Sequence, residues 1–237
     1  IEALLTWPDV AVRDAVAATL RASVALGDTA GTQAMFQVAT GNGAALTGLA
    51  TCKSDNHRSF WLYVKHPDLF DRAGDLDHFE RQVAQAQQHD LGVKKTPDTS
   101  DAALAAMRAE VSAFYQRELQ CGDRSKAYVV ERSPGVYLLS VHVKDLSMVQ
   151  LEFQGDDLKR RVGNPNIHSV LEYSSATGVT RSLVKGGAKY HQMLLKAFAE
   201  HLLHVKLDAH RLLPPTLDLS VLRLGFDVPQ AEVDGFN

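Results

Sequence analysis

The feature that most limits what this chain can become is a change of hydrophobic period near residue 124. Before it, apolar residues recur every three to four positions, the repeat of an amphipathic helix. After it they alternate with polar residues, the repeat of a half-buried strand. Short alternating runs at 127–130, 136–143, 148–153, 169–174 and 179–184 are separated by turn-forming stretches such as Ser133-Pro134-Gly135 and Ser175-Ala176-Thr177-Gly178. Such spacing predicts an antiparallel meander of about five strands. A helix predicted over 188–205 carries Tyr190, Leu194, Ala197, Phe198, Leu202 and Val205 on one broad arc. A sheet with one apolar face needs a cover of this kind, so the fold class is α+β. A last strand is expected at 217–222, after Pro214-Pro215.

The first half reads as helices. Thr6-Trp7-Pro8-Asp9 offers a helix start, Val12, Val16, Leu20 and Val24 follow at spacings of four, and Gly27 ends the run. Asp77 and Glu80 stand at capping-box spacing beside a stripe of Leu76, Phe79, Val83 and Ala86, and Ser100 precedes a face of Leu104, Met107, Val111 and Phe114. The stretch from Met35 to Cys52 supports two readings, a hairpin turning at Asn42-Gly43 or a helix of small residues. Phe60-Trp61-Leu62-Tyr63-Val64, rich in aromatic and β-branched residues, predicts a strand. These patterns divide the chain into a helix-rich part, 1–124, with room for a small β-hairpin, and a sheet-plus-helix part, 125–237, as two domains or one continuous domain. Charge divides similarly, at −4 over residues 1–125 and +1 over 126–237.

Composition narrows the function classes. The net charge of −3 and a pI near 6.4 argue against a broadly basic nucleic-acid binder. No apolar run approaches the ~18–20 residues of a membrane-crossing helix. No basic stretch with a following apolar run opens the chain, so the expected location is the cytoplasm. Cys52 and Cys121, isolated in sequence, fit buried thiols in a reducing compartment. Beginning at Ile1 and ending at Asn237, the chain is expected to be part of a longer protein.

Three groupings carry candidate chemistry. His201, His204, Asp208 and His210 fall within ten residues, and a His pair at i, i+3 on a helix presents both imidazoles on one side, a spacing suited to a shared divalent metal. His201 also lies within the apolar arc of its helix, where a core histidine bonded to a backbone carbonyl serves equally well. Lys159, Arg160 and Arg161, with Arg181, Lys185 and Lys189, form the only basic concentration. Folded together, they would face an anionic ligand or a nucleic acid, and Gly186-Gly187 would let helix N–H groups approach it. Asp55, His57, His66 and Asp68 flank the 60–64 run, and a strand of five residues would hold the two ends ~17 Å apart. The chain has no GxGxxG, GxxxxGK[ST], HExxH, GxSxG or paired CxxC.

The function expected from these features is a non-catalytic interaction module of a larger protein, recognising a protein partner, a second copy of itself or an anionic ligand, with no cofactor. The alternative is a metal-assisted hydrolase of phosphate-containing substrates built on the His201 grouping.

Overall fold

A computed structural model describes residues 6–154, 157–207 and 210–212. Helices gather in the first half, antiparallel strands in the second, and a helix near the end covers the sheet, giving the α+β fold. Among the described residues five helices come first, α1 (Val10–Ala25), α2 (Thr29–Val38), α3 (Gly43–Thr51), α4 (Asp55–Lys65) and α5 (Pro67–Gln82), joined by short links. Local chemistry sets each start. Asp9 accepts from the Val12 N–H at 3.1 Å, Asp28 from Gly31 at 2.8 Å and Asn42 from Ala45 at 3.0 Å. Ser54 likewise accepts from His57 at 3.2 Å, and Pro67 opens α5. Asn42-Gly43 is therefore a helix start and not a hairpin turn.

The run Phe60–Val64 is helical, correcting the strand reading. With Ser54 capping, Asp55 in the first turn and Lys65 in the last, α4 has complete end signals. It buries Ser59 and Leu62, three residues apart, and leaves Val64 two-thirds exposed. Helical end chemistry overrides the β-propensity of five residues.

The main sheet has the order β2-β3-β6-β7-β1-β8, with every neighbouring pair antiparallel. Its strands are β1 (Gln87–Asp90), β2 (Ser125–Ser133), β3 (Val136–Lys144), β6 (Asn166–Ser174), β7 (Val179–Val184) and β8 (His210–Leu212). Between β3 and β6 the chain leaves the sheet as a separate two-stranded ribbon, β4 (Met148–Gln154) with β5 (Asp157–Gly163). The third run of the expected meander is thus outside it, and Lys159, Arg160 and Arg161 lie on a strand instead of a loop. β1, which the sequence pattern did not announce, follows the stripe ending at Ala86 and pairs with β7. The strand expected at 217–222 lies outside the described residues.

Alternation along the strands sends side chains to two cores. Leu139, Val141, Leu171 and Tyr173 pack with Met107, Val111 and Phe114 of α6 (Asp101–Leu119) and with Leu194 and Phe198 of α7 (Ala188–His201). Tyr128, Val130, Leu138 and Val170 pack on the opposite face with Met35, Leu49, Leu62, Leu76 and Phe79. The result is three layers: α2–α5, the sheet, and α6 with α7. Both cores take residues from either side of residue 124. The α7 cover sits where its apolar arc requires, and it ends as His204 turns to φ 54°.

The long stripe of α1 behaves otherwise. Val12, Leu20 and Val24 are 42%, 36% and 57% exposed, and only Ser23 of this helix is buried.

Candidate functional site

Two features depart from what a folded domain needs for stability. One is polar and half-buried, the other apolar and exposed.

The polar one lies between α5 and the sheet. Register places His142 of β3 directly opposite His168 of β6, and Tyr128 of β2 opposite Ser140 of β3, all on the face toward α5. The two imidazoles stack in parallel, 4.3 Å between ring centres. From α5, Asp75 reaches down to them. Its Oδ2 accepts hydrogen bonds from Ser140 Oγ at 2.7 Å and from the Tyr128 hydroxyl, and lies 2.7 Å from His142 Nε2. His168 Nε2 is 3.5 Å from the same oxygen and 2.7 Å from Ser140 Oγ. Asp75 Oδ2, His142 Nε2 and His168 Nε2 all lie within 4.8 Å of one another, the one group among the described residues with spacing able to hold a metal ion.

The electrostatics of these groups diverge. Burial pushes the Asp75 carboxyl up, but the hydrogen bond with His142, with help from His168, Tyr128 and Ser140, more than reverses it and holds the carboxyl below its usual range. The same hydrogen bond to Asp75 raises His142 against its burial. His168 is pushed down to about 4 by burial, which outweighs the pull of Asp75. Tyr128 is raised, by burial and then by the Asp75 charge, and stays protonated. Strongly perturbed titratable groups such as these cluster at functional sites.

A cavity of about 390 Å³ adjoins His168. His78, Gln82, Asn166 and Lys185 are among its walls, and the His78 ring stands 5.7 Å from that of His168.

The apolar feature is the β4–β5 ribbon. Pairing sets Val149 opposite Val162, Leu151 opposite Arg160 and Phe153 opposite Leu158, so these six share one face. The other face carries Gln150 with Arg161 and Glu152 with Lys159. The five apolar members of the first face are 54–76% exposed. A groove of about 960 Å³ separates the ribbon from the start of α1, with Phe153, Lys159, Arg160 and Arg161 along one wall and Pro8, Asp9, Val10 and Asp14 along the other.

The residues singled out in the sequence are dispersed. Lys159, Arg160 and Arg161 sit on the ribbon, Arg161 paired with Glu152 at 3.3 Å. Arg181 binds Glu172 on the sheet face, Lys185 lines the cavity beside His168, and Lys189 pairs with Glu118 at 2.5 Å. His201 Nε2 lies 2.8 Å from Glu110, and His204 Nε2 lies 3.1 Å from Asp98. His210 is on β8 opposite Asp90, and Asp208 is outside the described residues. Asp55 and His66 belong to the two ends of α4, where Asp55 holds Thr32 and Arg58. Cys52 and Cys121 are free, buried thiols whose pKa values burial raises.

Sequence reasoning missed Asp75, His142 and His168. A signal was present in part: Ser140 and His142 occupy alternate positions of a strand whose other face is Tyr137, Leu139, Val141 and Val143, but Asp75 precedes the helix start expected at Asp77 and was placed on a helix only by the structure. The chain matches no protein-family model and no curated protein. No helix among the described residues is long and apolar enough to cross a membrane.

Proposed function

We propose that this chain is an interaction module that associates with a second copy of itself, the ribbon of each copy covering α1 of the other. The observation that carries this reading is the amphipathic β4–β5 ribbon. A two-stranded hairpin is marginal in water unless its apolar face is packed, and here that face is open. The second copy is favoured because the chain carries a matching surface. At the start of α1, Trp7, Val10 and Val12 are 45%, 37% and 42% exposed, next to Asp9 and Asp14. The apolar face of the ribbon carries Arg160. An apolar, acidic patch and an apolar, basic one on the same chain can be satisfied twice by a twofold axis. Asp14 also pairs with Arg13, so charge contributes direction more than affinity.

Burying a Val, Leu or Phe fully is worth ~1.5–3 kcal/mol. With somewhat over half of each side chain open, the ten ribbon residues of a symmetric pair would gain roughly 10–19 kcal/mol. Association itself costs about 4–15 kcal/mol. A dimer of micromolar Kd, about −8 kcal/mol, lies inside the range of that difference.

Sedimentation velocity over a range of concentrations tests this. The expected result is a monomer–dimer equilibrium for the native chain, shifted at least tenfold toward monomer by Leu151→Ser with Phe153→Ser and, separately, by Val10→Ser with Val12→Ser. A native chain that stays monomeric well above micromolar concentration, or pairs of variants that dimerise as tightly as the native chain, would refute the reading.

A further inference from the structure

The polar cluster is not explained by association through the ribbon. One carboxylate oxygen accepts only about two hydrogen bonds, yet Asp75 Oδ2 is approached by Tyr128, Ser140 and His142, with His168 behind them. Ser140 Oγ is itself shared with His168 Nε2 at 2.7 Å. Five side chains from four elements therefore converge on one small volume, and the hydrogen-bond donors among them exceed what a single oxygen accepts. A cation at the shared point relieves the conflict. It takes a lone pair from each of Asp75, His142 and His168, and leaves the Tyr128 and Ser140 hydroxyls to orient the carboxylate.

We propose that Asp75, His142 and His168 form a site for a divalent transition-metal ion of the zinc class, with a coordination position open toward the cavity walled by His78, Asn166 and Lys185. Ligand chemistry selects the ion. Two imidazoles with one carboxylate suit Zn²⁺, Co²⁺ or Ni²⁺, whereas Mg²⁺ and Ca²⁺ favour all-oxygen shells. The ligand atoms are gathered by rigid elements, and the parallel rings need only rotate about χ2 to turn both Nε2 lone pairs toward one ion. Two ligands are cross-strand neighbours on β3 and β6, fixed by register, and the third descends from a helix packed on that face by Leu76 and Phe79. His142, His168 and Asp75 expose only 25%, 18% and 17% of their side chains. Three protein ligands are one short of a tetrahedral shell, the arrangement of sites that keep a water or substrate position. Among the described residues the wall next to that position bears Lys185 and His78 and no carboxylate, so an anionic ligand is the chemical class that would reach the ion there.

Metal binding by chelator-stripped protein decides the matter. Titration with Co²⁺ is expected to give the visible d–d bands of a four- or five-coordinate ion at one equivalent per chain, with Zn²⁺ displacing it and raising the thermal midpoint. His168→Ala and Asp75→Asn should weaken binding by more than the ~10–100-fold typical of losing an outer-shell partner, and Ser140→Ala should fall within that range. His142→Gln, which keeps a polar group of similar reach, guards against a variant that loses binding only by unfolding. Circular dichroism should show it folded and Co²⁺ should no longer bind. His201→Ala and His204→Ala should bind as the native chain does. Native protein with no stoichiometric uptake would overturn the site, as would uptake unchanged in folded His142→Gln and lost in His201→Ala.

Discussion

Replacing Glu172 should test how strongly charge ties the helical layer to the sheet. Glu172 lies on β6, directly opposite Arg181 of β7, with only 8% of its side chain exposed. Its Oε1 accepts from Arg181 Nε at 2.7 Å, and its Oε2 accepts from Arg132. Arg132, 13% exposed, also pairs with Glu80 of α5 at 2.6 Å and donates to Gln37 of α2 at 3.3 Å. Charges thus alternate along Arg181, Glu172, Arg132 and Glu80, and three strands and two helices meet in one network. Removing one member of a buried pair costs about 3–5 kcal/mol, because the remaining charge is left without a partner. Two features reduce that figure here. Arg181 is 39% exposed and can rehydrate, and Glu80 stays beside Arg132. Glu172→Ala should then destabilise by roughly 2–4 kcal/mol. Glu80→Ala, at the 41% exposed end, should cost under ~1 kcal/mol. In a chain of this size the first corresponds to a fall in Tm of about 5–15 °C. Urea unfolding followed by circular dichroism measures both, and the double variant Glu172→Leu, Arg132→Leu should recover much of the loss. If Glu172→Ala were within ~1 kcal/mol of the native chain, or cost less than Glu80→Ala, the network would not be the fastening described.

Two other perturbations have signs set by the structure. His191 and His89 are buried, and their pKa values are lowered chiefly by burial, with the charge of Arg211 adding to both. The unfolded chain therefore binds protons first as pH falls through the ordinary histidine range, and stability should drop from neutral toward pH ~5. His191→Gln, which can keep a bond to Ser182 Oγ, should flatten that decline in urea midpoints measured across pH, and parallel curves would refute the assignment. In α3, a Cβ on Gly48 would stand 2.0 Å from the Trp61 ring, so Gly48→Ala should displace the indole, destabilise the α3–α4 contact by ~1–3 kcal/mol and shift tryptophan emission. Unchanged emission and stability would show that the ring has room to move.

The fold class was legible because it rests on local periodicity, and the sites were not because they rest on register. A helix such as α6 announces itself within twenty residues, through Ser100 at its start and one face of Met107, Val111 and Phe114. Where local signals conflict, end chemistry prevailed. Asn42 and Ser54 capped helices in stretches whose composition also suited strands, since a cap satisfies N–H groups that propensity alone leaves open. Alternation marked 148–153 as a strand, but alternation does not name a partner. β4 pairs with β5 outside the sheet, and nothing in the period of either strand separates that outcome from the meander.

The same limit explains why the His201 grouping attracted notice before Asp75, His142 and His168. Nearness in sequence on a helix brings two side chains to one side, but each of His201 and His204 then meets a carboxylate of its own, Glu110 and Asp98. His142 and His168 are 26 positions apart and face each other because β3 and β6 are neighbours in one particular register. A slip of one residue on either strand would turn one imidazole to the opposite face, against Leu194 and Phe198. The apolar residues on that face make the slip costly. Leu139, Val141, Leu171 and Tyr173 would exchange with Ser140, His142, His168 and Glu172, placing polar groups in the α6–α7 core. The core on one side of the sheet therefore fixes the polar constellation on the other, and any function of that constellation depends on packing that makes no contact with it.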